Sequence, residues 1–175
     1  GVSPDEALRQ ALELSDGAFA LAEEIGDQFS IAMTTVQRAR ILDDQGKFEE
    51  ALQGFSKAAT LDPAFGLAHA GMAITSRNLD RQEDAERHVK EAIRHLDGMT
   101  ERERYRTRGM FYYLTNDYQA CVKEYGDLIS RYAADAAARN NLALCLTHLR
   151  DMPRAVDEMR QVVKGLPNRA LYQEN

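Results

Sequence analysis

Gly46-Lys47-Phe48-Glu49-Glu50-Ala51-Leu52-Gln53-Gly54-Phe55 is the stretch on which the fold turns. Gly46 suits the left-handed conformation that ends a helix. A helix start follows this turn. Small Ala51 and bulky Phe55 follow, one turn apart on one face. The pattern returns at Asp80–Val89, with Ala85 and Val89, and at Arg150–Ala155, with Ala155 and then Met159. Ala51 and Ala85 stand 34 residues apart, and so do Cys121 and Ala155. Ala85 and Cys121 stand 36 apart, which places two inserted residues near Asp97–Thr100. Such a period marks stacked helix-turn-helix units, none able to bury its apolar stripe alone.

Composition agrees. Hydrophobic residues are 44% of the 175, charged ones 29% and aromatics 7%, with 4 Pro and no Trp. That mixture builds a helical core and argues against disorder, a sandwich or a barrel. A net charge of −6 disfavours nucleic acid as the main partner. No apolar run approaches the roughly 20 residues of a membrane span, and no signal-peptide pattern is present. The chain starts at Gly1 rather than Met, which suggests a trimmed piece of a larger protein. The cytoplasm is the expected compartment rather than the periplasm. Cys121 and Cys145 are too few for a disulfide framework. Cap signals fall at Ser3-Pro4-Asp5-Glu6, at Thr100 with Glu103, and at Asp80 with Glu83. Helices are predicted over 4–15, 17–26, 29–44, 48–61, 66–78, 82–96, 101–115, 118–132, 136–149 and 153–165. The first two could run together through Gly17.

These units resemble the tetratricopeptide repeat family, written as 32–65, 66–99, 102–135 and 136–169. The family's small residue in the first helix (helix A) is matched by Ala39, Ala73, Gly109 and Ala143, and its large residue three later by Leu42, Tyr112 and Leu146 but not Ser76. The small residue of the second helix (helix B) is Ala51, Ala85, Cys121 or Ala155, and its bulky partner Phe55, Val89, Tyr125 or Met159. The early aromatic is matched only by Tyr105; Thr35, His69 and Arg139 depart. The resemblance implies an all-α superhelix, a right-handed solenoid of antiparallel helix pairs. Residues 1–31 would pack on the array as N-terminal helices, and 170–175 would begin a further helix A, cut short, with more repeats following.

By the same resemblance, helix A residues line a concave groove. The positions carried over are Met33, Val36, Arg40, Asp43 and Asp44 in the first unit; Leu67, Ala70, Ile74, Arg77 and Asn78 in the second; Glu103, Arg106, Met110, Tyr113 and Leu114 in the third; and Ala137, Asn140, Leu144, Thr147 and His148 in the fourth. An apolar strip with scattered arginines suits an extended peptide or a partner helix. The N-terminal helices or a second copy could fill it instead, and the repeat ends offer a route to self-association. The Lys/Asn clamp for acidic chaperone tails is absent, since its positions hold Val36, Arg40, Gly71, Glu103 and Thr107. The stretch Ala92–Leu146 also looks like arrays attached to bacterial serine/threonine kinases, which implies a regulatory role as the alternative.

No phosphate loop, nucleophile elbow or metal motif occurs, so neither cofactor nor metal is expected. Cys145 and His148 are three apart, but two ligands do not make a site. Cys121 and Cys145 read as core. His88 and His95 share a face that reads as solvated, and His69 reads as half-buried packing. Arg102, Arg104, Arg106 and Arg108 read as a salt-bridged helix start rather than a phosphate site. Tyr113 is a ligand platform or packs on a neighbouring helix. The sequence points to a non-catalytic protein-interaction module, with an enzyme site around Tyr113 and His148 as the remote alternative.

Overall fold

Ser3 opens the first helix by accepting a hydrogen bond from the Glu6 amide at 3.2 Å. Helix α1 (Pro4–Ile25) then runs unbroken through Gly17, because one interior glycine costs only about 1 kcal/mol. The two N-terminal segments expected at 4–15 and 17–26 are therefore one helix. The computed structural model describes residues 3–164. Beyond α1 it contains α2 (Gln28–Asp44), α3 (Phe48–Leu61), α4 (Gly66–Asn78), α5 (Gln82–Arg94), a 3-10 turn at Leu96–Gly98, α6 (Glu101–Leu114), α7 (Tyr118–Arg131), α8 (Ala136–His148) and α9 (Met152–Lys164). No strand occurs among the described residues. The expected helix start at 170–175 lies outside them.

The four hairpins α2/α3, α4/α5, α6/α7 and α8/α9 turn by one device. A left-handed residue follows helix A in each: Gly46 (φ 75°), Asp80 (57°), Asn116 (63°) and Arg150 (61°). Its amide and the next one reach back to two carbonyls of helix A. Gly46 and Lys47 bond Asp43 and Leu42; Asp80 and Arg81 bond Arg77 and Ser76; Asn116 and Asp117 bond Tyr113 and Tyr112; Arg150 and Asp151 bond Thr147 and Leu146. These paired bonds satisfy helix-end carbonyls that would otherwise lack partners.

The helices then pack through their small residues. Ala39, Ala73, Gly109 and Ala143 are all buried. In the first hairpins Phe55 is the largest fully buried side chain, with Val36, Leu42, Phe65 and Met72 around it. Gly71 of α4 lies directly against its ring, so a Cβ there would collide with it. In the later hairpins Tyr125, Leu128, Leu142 and Leu146 form the core, and a Cβ on Gly109 would stand 2.6 Å from the Tyr125 ring. His69 and Arg139 occupy the slot where the family puts an aromatic. Each bonds the carbonyl six residues back: His69 Nε2 lies 3.0 Å from Pro63 O, and Arg139 Nε donates to Ala133 O at 3.2 Å.

Two compact units result, Gly1–Met99 and Thr100–Asn175. Their boundary falls where the period is interrupted. The links before α4 (62–65) and α8 (132–135) are shorter than the link before α6 (95–100) by the inserted pair. The 3-10 turn occupies that longer link, and Thr100 restarts the chain with a complete capping box on Glu103.

Arg150 holds a left-handed conformation that its Cβ disfavours. Arg150→Gly is expected to raise unfolding stability by about 0.5–1 kcal/mol, and Gly109→Ala to lower it by about 1–3 kcal/mol. Urea denaturation of both variants beside the parent checks the pair, and a neutral Gly109→Ala would mean the α6/α7 approach is not this close.

Candidate functional site

In the Gly1–Met99 unit, the inward positions divide into open and closed. Arg40 and Ile74 are exposed and Met33, Leu67 and Arg77 half-buried, whereas Val36 and Ala70 are buried in the packing and present no surface. Val36 falls inside because the helix-A face carrying it packs on Phe55. Asp43 accepts a hydrogen bond from Thr75 Oγ1 at 2.8 Å and lies 3.4 Å from Asn78 Nδ2. Partial burial raises the Asp44 carboxyl above its ordinary range, Asp43 adds to this, and Arg40 opposes it. This face tethers α2 to α4 through polar groups.

The histidines of this unit gather. The His69 and His95 rings stack at 6.0 Å, and Glu91 lies 3.1 Å from His95 Nε2. His88 is half-buried. Burial depresses its pKa first, with Arg87 and His69 adding to the effect and Asp84 opposing it. The solvated face expected for His88 and His95 is thus corrected. The helical spacing showed that they share a face, but not that α4 brings His69 against it.

In the Thr100–Asn175 unit, Asp135 is the organising charge. Its carboxylate is fully buried, caps α8 by accepting from Ala138 N at 3.0 Å, and is gripped by Arg106 at 2.7 Å and Arg102 at 2.8 Å. Burial pushes the Asp135 carboxyl up, but the two guanidiniums and the amide outweigh burial and leave it below the usual carboxylate range. Arg108 bonds Glu124 at 2.8 Å. The arginine run therefore serves contacts between helices, and Arg106 is committed to Asp135 rather than free for a partner. Met110 and Leu114 are buried.

Tyr113 and His148 do come together. Tyr113 Oη lies 3.3 Å from His148 Nε2, and Tyr118, which the sequence reading passed over, stacks on the His148 ring at 4.3 Å. The three rings form a small aromatic cluster on α6, α7 and α8. Cys121 and Cys145 are both fully buried, as expected, and are joined in a disulfide between α7 and α8, which the count of two had not suggested. Among the described residues no group of three His, Cys, Asp or Glu could hold a metal. No helix there is long and apolar enough to cross a membrane.

An open groove of about 590 Å³ runs along α8 and α9. Asn140 and Leu144, two of the inward positions, line it, with Ala143 and Ala155 beneath. Its other side is Met152, Val156, Met159 and Val163, spaced four, three and four apart, with Arg160 and Lys164 beside them. Met159, at the bulky position of the fourth unit's second helix, is exposed. The helix that covers the equivalent Phe55 is α4 of the following hairpin, and nothing among the described residues follows α9. The stripe was legible as an apolar period in the sequence. Its exposure was not.

The sequence profile of the tetratricopeptide repeat matches residues 36–65. Solved structures share the fold at low identity. The APC/C hetero-tetramer Cut9–Hcn1 has a TM-score of 0.60 at 19% identity, over 92% of this chain and 31% of that one. BtubC from P. vanneervenii has a TM-score of 0.56 at 19% identity, over 98% and 78%. YrrB, a protein of this repeat class with an unusual peptide-binding site, has a TM-score of 0.53 at 20% identity, over 87% and 77%. No curated protein matches the chain by sequence. One hairpin thus matches the tetratricopeptide repeat in sequence, over residues 36–65, and the described helices share the all-α helical-solenoid fold of proteins built from that repeat. Proteins of this class are in general non-catalytic interaction scaffolds.

Asp135 ionises more readily in the folded chain than in the unfolded one. The stability this contributes is present above about pH 4 and is lost as pH falls through the lower folded value. Asp135→Asn is expected to cost about 1–2 kcal/mol at pH 7, since Asn keeps the cap but not the charge. That difference should shrink as pH falls below about 4 and folded Asp135 takes up its proton, and urea titrations at pH 7 and at successively lower pH values check it.

Proposed function

We propose that this protein is a non-catalytic docking module whose groove on α8 and α9 takes an amphipathic helix of a partner protein. One observation carries the reading. Leu144, Met152, Val156, Met159 and Val163 are large apolar side chains left exposed along one continuous groove. Contiguous exposed apolar side chains rimmed by polar groups suit an interaction site. The stripe on α9 runs the length of a helix, which suits an apolar helix face laid alongside it. Arg160 and Lys164 on one side favour acidic residues flanking that face. Asn140 and Thr147 on the other side offer hydrogen bonds. The exposed inward residues Arg40 and Ile74, and the Tyr113–Tyr118–His148 rings, extend the surface available to longer partners.

The test uses a fluorescent acidic amphipathic helical peptide of unrelated sequence. Val156→Glu and Leu144→Glu are expected to weaken its binding at least tenfold, about 1.4 kcal/mol or more. Arg160→Glu should weaken it less and flatten its salt dependence. Binding that is unchanged in the two apolar variants would remove the groove as the seat.

A further inference from the structure

Among the described residues, the first helix carries a second unpartnered apolar face. Ala22 and Phe19 turn inward, Phe19 lying beneath Lys57 Nζ of α3 at 4.9 Å. On another side Leu14, Leu21 and Ile25 are 77%, 56% and 70% exposed. Ala7 and Ala18 are exposed with them. At about 100° per residue these five positions share a stripe roughly 60° wide. Glu6, Glu13 and Glu24 run along one edge of it, and α1 carries a single cation, Arg9. Arg9 pairs with Glu6 and Glu13 in solvent-accessible ion pairs, which exchange partners at little cost.

The two faces match. Leu14, Leu21 and Ile25 are spaced seven and four apart; Met152, Val156, Met159 and Val163 cover the same span of α9. Each stripe is therefore about 16 Å long at 1.5 Å per residue. One is edged by glutamates, the other by Lys164 and by Arg160, whose exposed pair with Asp157 at 3.0 Å exchanges partners at little cost.

We infer that the groove on α8 and α9 receives α1 of a second copy of this chain. This rests on the docking reading above and names its occupant. Leu14, Leu21 and Ile25 enter beside Val156 and Met159, and Glu13 and Glu24 face Arg160 and Lys164. The two surfaces are different patches, so the contact is heterologous. Each copy in such an assembly keeps one donor face and one groove. Association thus continues past two, into a chain or a ring, instead of stopping at a symmetric dimer.

Light scattering coupled to size exclusion, over a concentration series up to about 100 µM, tests this. The parent chain should gain mass beyond a dimer as concentration rises. Leu21→Glu and Val156→Glu should each be monomeric, with an apparent association constant at least tenfold lower. Circular dichroism and melting curves confirm that both fold; Leu14→Glu and Met159→Glu stand in for either that does not. Mixing the two variants should give a one-to-one pair and nothing larger, because one intact face and one intact groove remain. A monomeric parent, growth that stops at two, or no pairing in the mixture overturns the inference. So does a parent that is monomeric until it is shortened to end at Lys164, which would make residues 165–175 the occupant. If Leu21→Glu binds the unrelated acidic peptide while the parent stays monomeric, the self-docking inference falls and the docking function stands. If neither binds, both fall.

Discussion

The close approach of paired helices is the constraint on which the rest of this molecule depends. Ala39, Ala73, Gly109 and Ala143 add little or nothing beyond the backbone, so large rings can lie flat against the opposing helix. Phe55 sits against Gly71 and Tyr125 against Gly109. Interiors packed at crystal-like density leave no room for one extra methyl group at such a contact. With that spacing set, the apolar stripe of each hairpin is wide enough to need its neighbour. The end of the described array consequently exposes one.

Polar groups hold the hairpins at angles that packing alone leaves soft. Left-handed residues at 46, 80, 116 and 150 close all four turns by the same two backbone bonds. Three of the four are not glycine, so bond geometry and not residue type defines the device. Between hairpins the ties differ. Asp43 reaches Thr75 and Asn78 in one unit, and Arg102 and Arg106 converge on Asp135 in the other. A buried carboxylate is tolerated at Asp135 because two guanidiniums and a helix amide meet it.

The same arginines show how function and structure compete for one residue. Arg106 stands at one of the positions that the repeat resemblance assigns to a groove. Its guanidinium is taken by Asp135, whereas Arg40, Ile74, Leu144 and His148 remain open to solvent. Exposure, more than position in the repeat, sorts the inward residues into those that hold the array and those that can meet a partner.

Helix spans, hairpin turns and the small-residue contacts were legible in the sequence, because they follow from periods of 3.6 and 34 and from cap and turn residues acting over a few positions. The repeat pattern also marked Asn140 and Leu144. Three features were decided only by tertiary structure. Val36, Ala70 and Met110 are covered, Asp135 collects two arginines from a distant helix, and Met152, Val156, Met159 and Val163 lie open. The physical reason is common to all three. A local pattern states which face of a helix is apolar or charged, but whether that face is buried, neutralised or exposed depends on what another segment brings against it.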